Sequence, residues 1–136
     1  MSDRSGSEVV RLNPTTLTRT QIPLGSPPYA IAPAGGALWV AAGRADIWKI
    51  LPPSNSLEDS VPIGPSPNGI AGDDSSVWVT RGGDVFTPPA VLRIDAKTLK
   101  KTTVDASLGG GGASHIVPRG PGSVVLGAGR VWVVIG

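Results

Sequence analysis

Short apolar runs separated by glycine, proline and polar clusters divide the chain, and no segment carries a helical apolar stripe. In the run LWVAA (38–42), Leu38 and Val40 alternate with Trp39 and Ala41, so the two pairs lie on opposite faces of a strand. Both faces are apolar, and both must therefore be covered by other elements. The pattern predicts an all-β protein in which short strands lie in stacked sheets.

This pattern occurs more than once along the chain. A second motif, EVVRLNPTTLTRTQI (8–22), matches AVLRIDAKTLKKTTV (90–104), with a weaker middle copy at 47–61, and the tryptophan motif returns at 123–136. A spacing near 40 residues indicates a supersecondary unit that stacks on copies of itself. Residues 22–43 align without a gap with residues 61–82 and are identical at eight positions: Pro23/Pro62, Gly25/Gly64, Pro28/Pro67, Ile31/Ile70, Ala32/Ala71, Trp39/Trp78, Val40/Val79 and Gly43/Gly82.

Each unit is predicted to contain four antiparallel strands, A to D, which is the content of one β-propeller blade of about 40–45 residues. Along the chain the strands read C–D, A–B–C–D, A–B–C–D and A–B. The prediction is three four-stranded blades in a single domain, 1–136, with one blade split between the termini and a flexible N-terminus at 1–7. Trp39, Trp78 and Trp132 are expected to pack between blades, and Trp48, nearer the rim, is the tryptophan expected to be partly exposed.

The motifs GSPPYAIA…GGALWVAA, GPSPNGIA…DSSVWVTR and VLRIDAKTLKKTTV resemble the YVTN/NHL-like β-propeller repeats, including the streptogramin-lyase-like branch. The resemblance covers nearly the whole chain and implies a propeller fold. It does not imply one function, because such blades serve enzymes, binding proteins and scaffolds. A lyase of this branch would use histidine and acidic residues with a divalent cation. This chain has one histidine, and its strand B motifs end in Ala or Arg, so no catalytic residue is assigned.

Three blades cannot complete a propeller, which closes with about 4–8 blades. Open ends would leave strand edges and apolar faces in water. One resolution is a homodimer that closes a six-bladed ring, in which Ser123–Gly136 of one copy pairs with Glu8–Gly25 of the other. The other is that the chain is a fragment of a longer propeller protein. The closed dimer is the prediction adopted.

Composition and charge narrow the classes of partner. The net charge is +2 with the basic residues scattered, which does not favour nucleic acid. The absence of cysteine excludes disulfides and thiolate metal sites, and no cluster of ligands predicts a metal or another cofactor. The N-terminus lacks the apolar region of a secretory signal, and no apolar run approaches a membrane span of about 18 residues. The compartment stays open, and the chain as it stands is expected to be cytoplasmic.

Strand alternation places the D–A and B–C loops on one end of the predicted ring, here called the loop face. Both insertions, RGGDVFTPPA (81–90) and the glycine-rich 105–122, lie there, so this face is the candidate ligand-binding surface. Arg81 and Asp84 are also expected to form a local ion pair, and Phe86 to anchor its own loop. The candidate residues are Arg44, Arg81, Asp84, Phe86, His115 and Arg119.

The function predicted from these features is a noncatalytic propeller that binds or scaffolds an unidentified partner. A small molecule and a protein are both possible ligands for such a face. Three alternatives stay open: a streptogramin-lyase-like enzyme, a fragment of a longer extracytoplasmic propeller protein, and an assembly module with no ligand.

Overall fold

In a computed structural model, which describes residues 7–43, 45–84, 86–105 and 121–135, the chain forms twelve strands and no helix. The strands follow the predicted order, and the all-β class is confirmed. They are β1 (Glu8–Leu12), β2 (Arg19–Pro23), β3 (Pro28–Ala34), β4 (Ala37–Ala42), β5 (Asp46–Leu51), β6 (Ser56–Pro62), β7 (Pro67–Gly72), β8 (Ser76–Arg81), β9 (Ala90–Asp95), β10 (Lys101–Asp105), β11 (Pro121–Gly127) and β12 (Arg130–Ile135).

The strands make four antiparallel sheets, and each sheet takes its strands in chain order. The N-terminal hairpin contains β1 and β2, the first sheet β3 to β6, the second sheet β7 to β10, and the C-terminal hairpin β11 and β12. Within the described residues these sheets do not close into a ring. The two hairpins correspond to the C–D and A–B halves that the repeats predict.

The strand register preserves the sequence repeat. Trp39 lies opposite Ala32, and Trp78 lies opposite Ala71, so the two tryptophans hold the same place in their sheets. Trp132 lies opposite Val125 in the C-terminal hairpin and is the third member of the series. Positions in different sheets can therefore be compared one to one.

Two-residue turns close two of the three hairpins that begin a unit. Gly35 and Gly36 join β3 to β4 with φ of 55° and 75°, and Ala128 and Gly129 join β11 to β12 with φ of 52° and 69°. Positive φ at both central residues is the type I′ geometry, whose twist matches that of the strands. The turn between β7 and β8 is held instead by Asp73, whose carboxylate accepts the amides of Ser75 and Ser76.

The sheets pack face to face through two apolar clusters. Trp39 and Ala41 of the first sheet belong to one cluster with Val77 and Val79 of the second sheet. On the other face of the first sheet, Val40 belongs to a second cluster with residues of the N-terminal hairpin. Strand β4 is therefore covered on both sides, as its alternating apolar residues predict.

The first strands of neighbouring sheets approach so closely that a side chain cannot fit between them at Gly72. Strand β7 lies beside both β3 and β11. A Cβ atom added at Gly72 would overlap the carbonyl oxygen of Pro33 and lie 2.6 Å from the Cβ atom of Ala34. On the other side of β7, the hydroxyl of Thr80 donates a hydrogen bond to the carbonyl of Gly122.

Substitution Gly72→Ala is expected to lower the free energy of unfolding by about 1–3 kcal/mol, because backbone atoms of β3 would have to move. Gly127→Ala is the matched control, since a Cβ atom there meets nothing within 4 Å and alanine narrows the unfolded ensemble. Urea unfolding followed by circular dichroism measures both. A Gly72→Ala variant as stable as Gly127→Ala would contradict the close packing of β3 on β7.

Candidate functional site

Three of the six predicted loop-face residues, Arg44, His115 and Arg119, lie outside the described residues. The structure therefore tests the placement of Arg81, Asp84 and Phe86. All three are in or beside the connection between β8 and β9, which is one of the two predicted insertions.

Arg81 is the last residue of β8, and its side chain is bonded to the neighbouring β6–β7 connection. Its Nη1 atom donates a hydrogen bond of 2.8 Å to the carbonyl oxygen of Ile63 in the β6–β7 connection. The guanidinium lies over Gly64, where an added Cβ atom would be 2.6 Å from Nη1. The charge of Arg81 also helps to lower the pKa of the Asp84 carboxyl, so the two residues interact electrostatically, and a direct ion pair between them stays a prediction.

Asp84 is occupied by its own loop. Its Oδ1 atom accepts hydrogen bonds from the backbone amides of Phe86, at 2.9 Å, and Thr87, at 2.7 Å. Those hydrogen bonds, first that of Phe86, hold the pKa of the Asp84 carboxyl below its usual value. A carboxylate stabilised in its charged form is a poor general base at neutral pH. Asp84 therefore acts as a loop-shaping residue.

The expected anchoring role of Phe86 is also wrong, since its side chain is 91% exposed. The loop does not need the ring for its shape. Asp84 donates its amide to the carbonyl of Thr87 at 2.9 Å and accepts two amides in return. The backbone thus closes the turn, and the phenyl ring is left on the loop face as an exposed apolar group.

A groove of about 510 Å³ opens on the loop face between the first and second sheets. Tyr29 is on one wall, and burial, assisted by the charge of Asp46, raises the pKa of its phenol. The lining thus combines the Tyr29 hydroxyl and the Asp84 carboxylate with glycine, serine and proline residues. Its lining residues are Tyr29, Gly43, Pro65, Ser66, Pro67 and Asp84.

A second groove of about 410 Å³ opens between the same sheets at the opposite end, beside the turn that follows β9. Here Asp95 accepts the amides of Lys97, at 2.9 Å, and Thr98, at 2.8 Å. These hydrogen bonds, first that of Thr98, hold the pKa of the Asp95 carboxyl below its usual value. Asn13 accepts the amides of Thr15 and Thr16 in the same way at the repeat-equivalent turn.

Asp95→Asn is expected to change the pH dependence of stability while keeping the turn. A carboxyl whose folded pKa is lowered contributes stability above its unfolded pKa, near 3.8, and that contribution is lost as pH falls through the folded pKa. The variant should melt below the wild type at about pH 7, and the difference should shrink by about pH 2.5. Thermal unfolding at the two pH values measures this. A difference independent of pH would contradict the assignment.

Metal and membrane features are absent from the part of the chain that the structure describes. No group of three or more histidine, aspartate or glutamate residues there could hold a metal ion. No helix among these residues has the length and apolarity needed to cross a bilayer.

The two ends of the stack expose positions that the interior buries. Trp39 is fully buried between the two four-stranded sheets, whereas its equivalent, Trp132, is 57% exposed. Val134, on the same face of β12, is 61% exposed, although Ala41 and Thr80 at the equivalent positions are buried. Trp48 is partly exposed, as expected, but Trp132 is the most exposed of the four tryptophans, because no further sheet among the described residues covers this face of the C-terminal hairpin.

The opposite end shows the complementary pattern. Leu12 of β1 is 60% exposed, whereas its equivalents Ile50 and Ile94 are buried between sheets. Ile31 of β3 is half exposed, whereas its equivalent Val124 is buried. Sequence analysis identified the end segments but not these side chains. The signal that could have found them is the repeat itself, since each exposed residue has a covered counterpart.

The backbone edges at the two ends are open as well. In the described sheets, β12 pairs only with β11, and β1 pairs only with β2. In both four-stranded sheets the equivalents of these strands, such as β4 with β5, are hydrogen-bonded to each other.

No family model matches the chain, and no curated protein matches it either.

Proposed function

We propose that the chain is a noncatalytic β-propeller module that dimerises into a closed six-bladed ring and presents its loop face to a ligand or partner. The observation that carries the proposal is the contrast between buried positions inside the stack and their exposed equivalents at its two ends. Each end of the stack has an exposed apolar face and an unpaired strand edge that the other end of a second copy could cover.

The complementarity can be followed sheet by sheet. The Trp39 face of the first sheet is covered by the second sheet. By the same geometry, the Trp132 face of the C-terminal hairpin would be covered by a sheet of a second copy. The N-terminal hairpin covers only part of the opposite face of the first sheet and leaves Ile31 half exposed. In the ring, the face of the second copy's first sheet that carries Ile31 would pack against the face of the first copy's C-terminal hairpin that carries Trp132. Val104 of β10 shows the same contrast between equivalent positions. It is half exposed, whereas Ile22 and Val61 are buried.

The blade count is consistent with closure. Two complete four-stranded sheets and two hairpins provide three blades, so two copies provide six, within the range of about 4–8 blades that closes. In a ring with two-fold symmetry, both junctions join the C-terminal hairpin of one copy to the N-terminal hairpin of the other. No surface of this kind is then left over, so the assembly stops at two copies. It also covers apolar faces that would otherwise promote aggregation.

The noncatalytic part of the proposal rests on the loop face. Arg81 is committed to a backbone carbonyl and Asp84 to two backbone amides. Neither residue is arranged as a nucleophile or as a base held beside one. The groove between the sheets and the exposed ring of Phe86 are surfaces on which a ligand can bind.

The mass of the chain in solution tests the ring. Light scattering coupled to size exclusion should give twice the 13.8 kDa chain mass, and this value should not rise further as the concentration increases. The mass of a single chain up to the highest concentration at which the protein stays in solution would reject the closed dimer. A mass that keeps rising with concentration would indicate open-ended association and would reject closure as well.

A further inference from the structure

Each complete sheet contains a tryptophan stacked with a cation from the neighbouring strand. Lys49 lies opposite Trp39 in the β4–β5 register, with its Nζ atom 5.6 Å from the ring centroid. Arg93 lies opposite Trp78 in the β8–β9 register, with its guanidinium carbon 5.7 Å from the ring centroid. Both distances lie within the roughly 6 Å range of a cation–π interaction. The pair is therefore a repeated element of the fold.

Hydrogen bonds fix both members of this pair in the first sheet. The indole Nε1 of Trp39 donates to the carbonyl of Ala34 at 3.2 Å, at the end of the neighbouring strand β3. Lys49 Nζ donates to the carbonyl of Ala96 at 3.0 Å, just after β9 of the next sheet. In the first sheet the element thus consists of a tryptophan, its carbonyl, a cation and a carbonyl of the following sheet, whereas in the second sheet Arg93 donates to the hydroxyl of Ser76 and the Trp78 Nε1 has no hydrogen-bond partner within the described part of the chain.

The two ends of the chain hold the two halves of an element with the hydrogen bonds of the first sheet. Trp132 donates its Nε1 to the carbonyl of Gly127 at 3.1 Å, as Trp39 does to Ala34. Arg11 aligns with Arg93 in the repeated motif, and the strand registers make it the equivalent of Lys49, since Val9 faces Ile22 as Ile47 faces Val61. Its Nη1 donates to the carbonyl of Pro52 at 2.8 Å. Pro52 follows β5 as Ala96 follows β9. Among the described residues, no cation lies opposite Trp132 and no tryptophan lies opposite Arg11.

We propose that β12 of one copy pairs antiparallel with β1 of a second copy so that Trp132 lies opposite Arg11 and forms the third tryptophan–cation pair across the dimer junction. The internal registers then place Val133 opposite Val10 and Val134 opposite Val9. The inference rests on the proposed ring and adds its register and its recognition pair.

Engineered disulfides test the register, and the chain contains no cysteine of its own. Residues 10 and 133 lie at opposite ends of the stack, with both four-stranded sheets between them, so a disulfide joining them requires a second copy. Directly opposite residues have Cβ atoms about 4.5–5.5 Å apart, near the spacing a disulfide accepts, whereas diagonal neighbours are about 7–8 Å apart.

The test variant is Val10→Cys with Val133→Cys, and the control is Leu12→Cys with Val133→Cys. Oxidation followed by nonreducing electrophoresis should give covalent dimer at least about 5-fold faster for the test variant, given these spacings. Equal or faster cross-linking of the control in a protein that is dimeric under reducing conditions would overturn the register and leave the ring in place. Reduced protein with the mass of one chain would instead reject the ring.

A double-mutant cycle tests the tryptophan–cation pair. Arg11→Ala should raise the dimer dissociation constant about 10-fold, because each ring contains two such pairs. In a Trp132→Ala background the same change should have an effect of about 2-fold or less. Arg19→Ala, which removes the same charge from the exposed part of the same hairpin, is the matched control and should change the constant by less than about 2-fold. An Arg11→Ala effect that is equal in both backgrounds would overturn the pair.

Discussion

Val134→Lys is expected to convert the dimer into a folded monomer. In a single chain this side chain is 61% exposed, so lysine can reach water there without disturbing the core. In the proposed ring the position becomes equivalent to Ala41 and Thr80, which are buried between sheets. An unpaired charge buried in that place should cost at least about 3 kcal/mol per junction, which is more than a 100-fold change in affinity.

Light scattering measures the mass of the variant, and far-ultraviolet circular dichroism shows whether the strands are retained. Phe86→Lys is the matched control, because it also adds one positive charge at an exposed apolar residue but lies on the loop face. The control should remain a dimer. A Val134→Lys protein that is still dimeric at the same concentration would exclude this face of β12 from the interface.

Trp39→Ala is expected to reduce the free energy of unfolding by about 3–5 kcal/mol, because it removes a fully buried indole from the cluster between the two four-stranded sheets. That is a large part of the roughly 5–15 kcal/mol that stabilises an ordinary domain. Trp132→Ala removes the same side chain at the equivalent position, where the indole is 57% exposed. Its effect within one chain should be below about 1.5 kcal/mol.

Both tryptophan variants should be compared in the Val134→Lys background, so that unfolding is not coupled to dissociation. Urea unfolding gives the two free energies. Similar losses from Trp39→Ala and Trp132→Ala would mean that the C-terminal hairpin is as well covered as the interior of the stack, and would remove the basis for the proposed ring.

Ring closure would also affect ligand binding. The groove on the loop face lies between the first and second sheets of one chain, so a closed dimer would carry two copies related by symmetry. A ligand with two binding groups could then engage both grooves and gain from a high effective concentration. The groove and the dimer junction use different residues, which allows the two properties to be separated by mutation.

Several features of the loop face could not be inferred from sequence. Arg81 and Asp84 are three residues apart with opposite charges, and such spacing favours a local ion pair. The structure shows in addition that Arg81 donates to the carbonyl of Ile63, a residue 18 positions away, because the β6–β7 connection lies beside the end of β8. Phe86 likewise has the composition of a loop anchor, but the turn closes through backbone hydrogen bonds and the ring remains exposed.

The sequence by itself determined the strands and their order. The repeat spacing, the alternation around Trp39 and the Gly-Gly and Asp turns are local signals, and local signals specify secondary structure and hairpin register. They also predict that both faces of β4 need cover. They do not say which neighbour supplies it, because covering a face joins residues that are distant along the chain.

Only the tertiary structure decided which faces are covered and which are open. It places Trp39 between two sheets and leaves Trp132 exposed, although the two residues occupy the same position in the repeat. It also brings Lys49 onto Trp39 while keeping Arg11, its counterpart, beside Pro52 without an indole partner. The physical reason is that burial belongs to a pair of packed sheets, so identical sequence motifs differ wherever the stack ends.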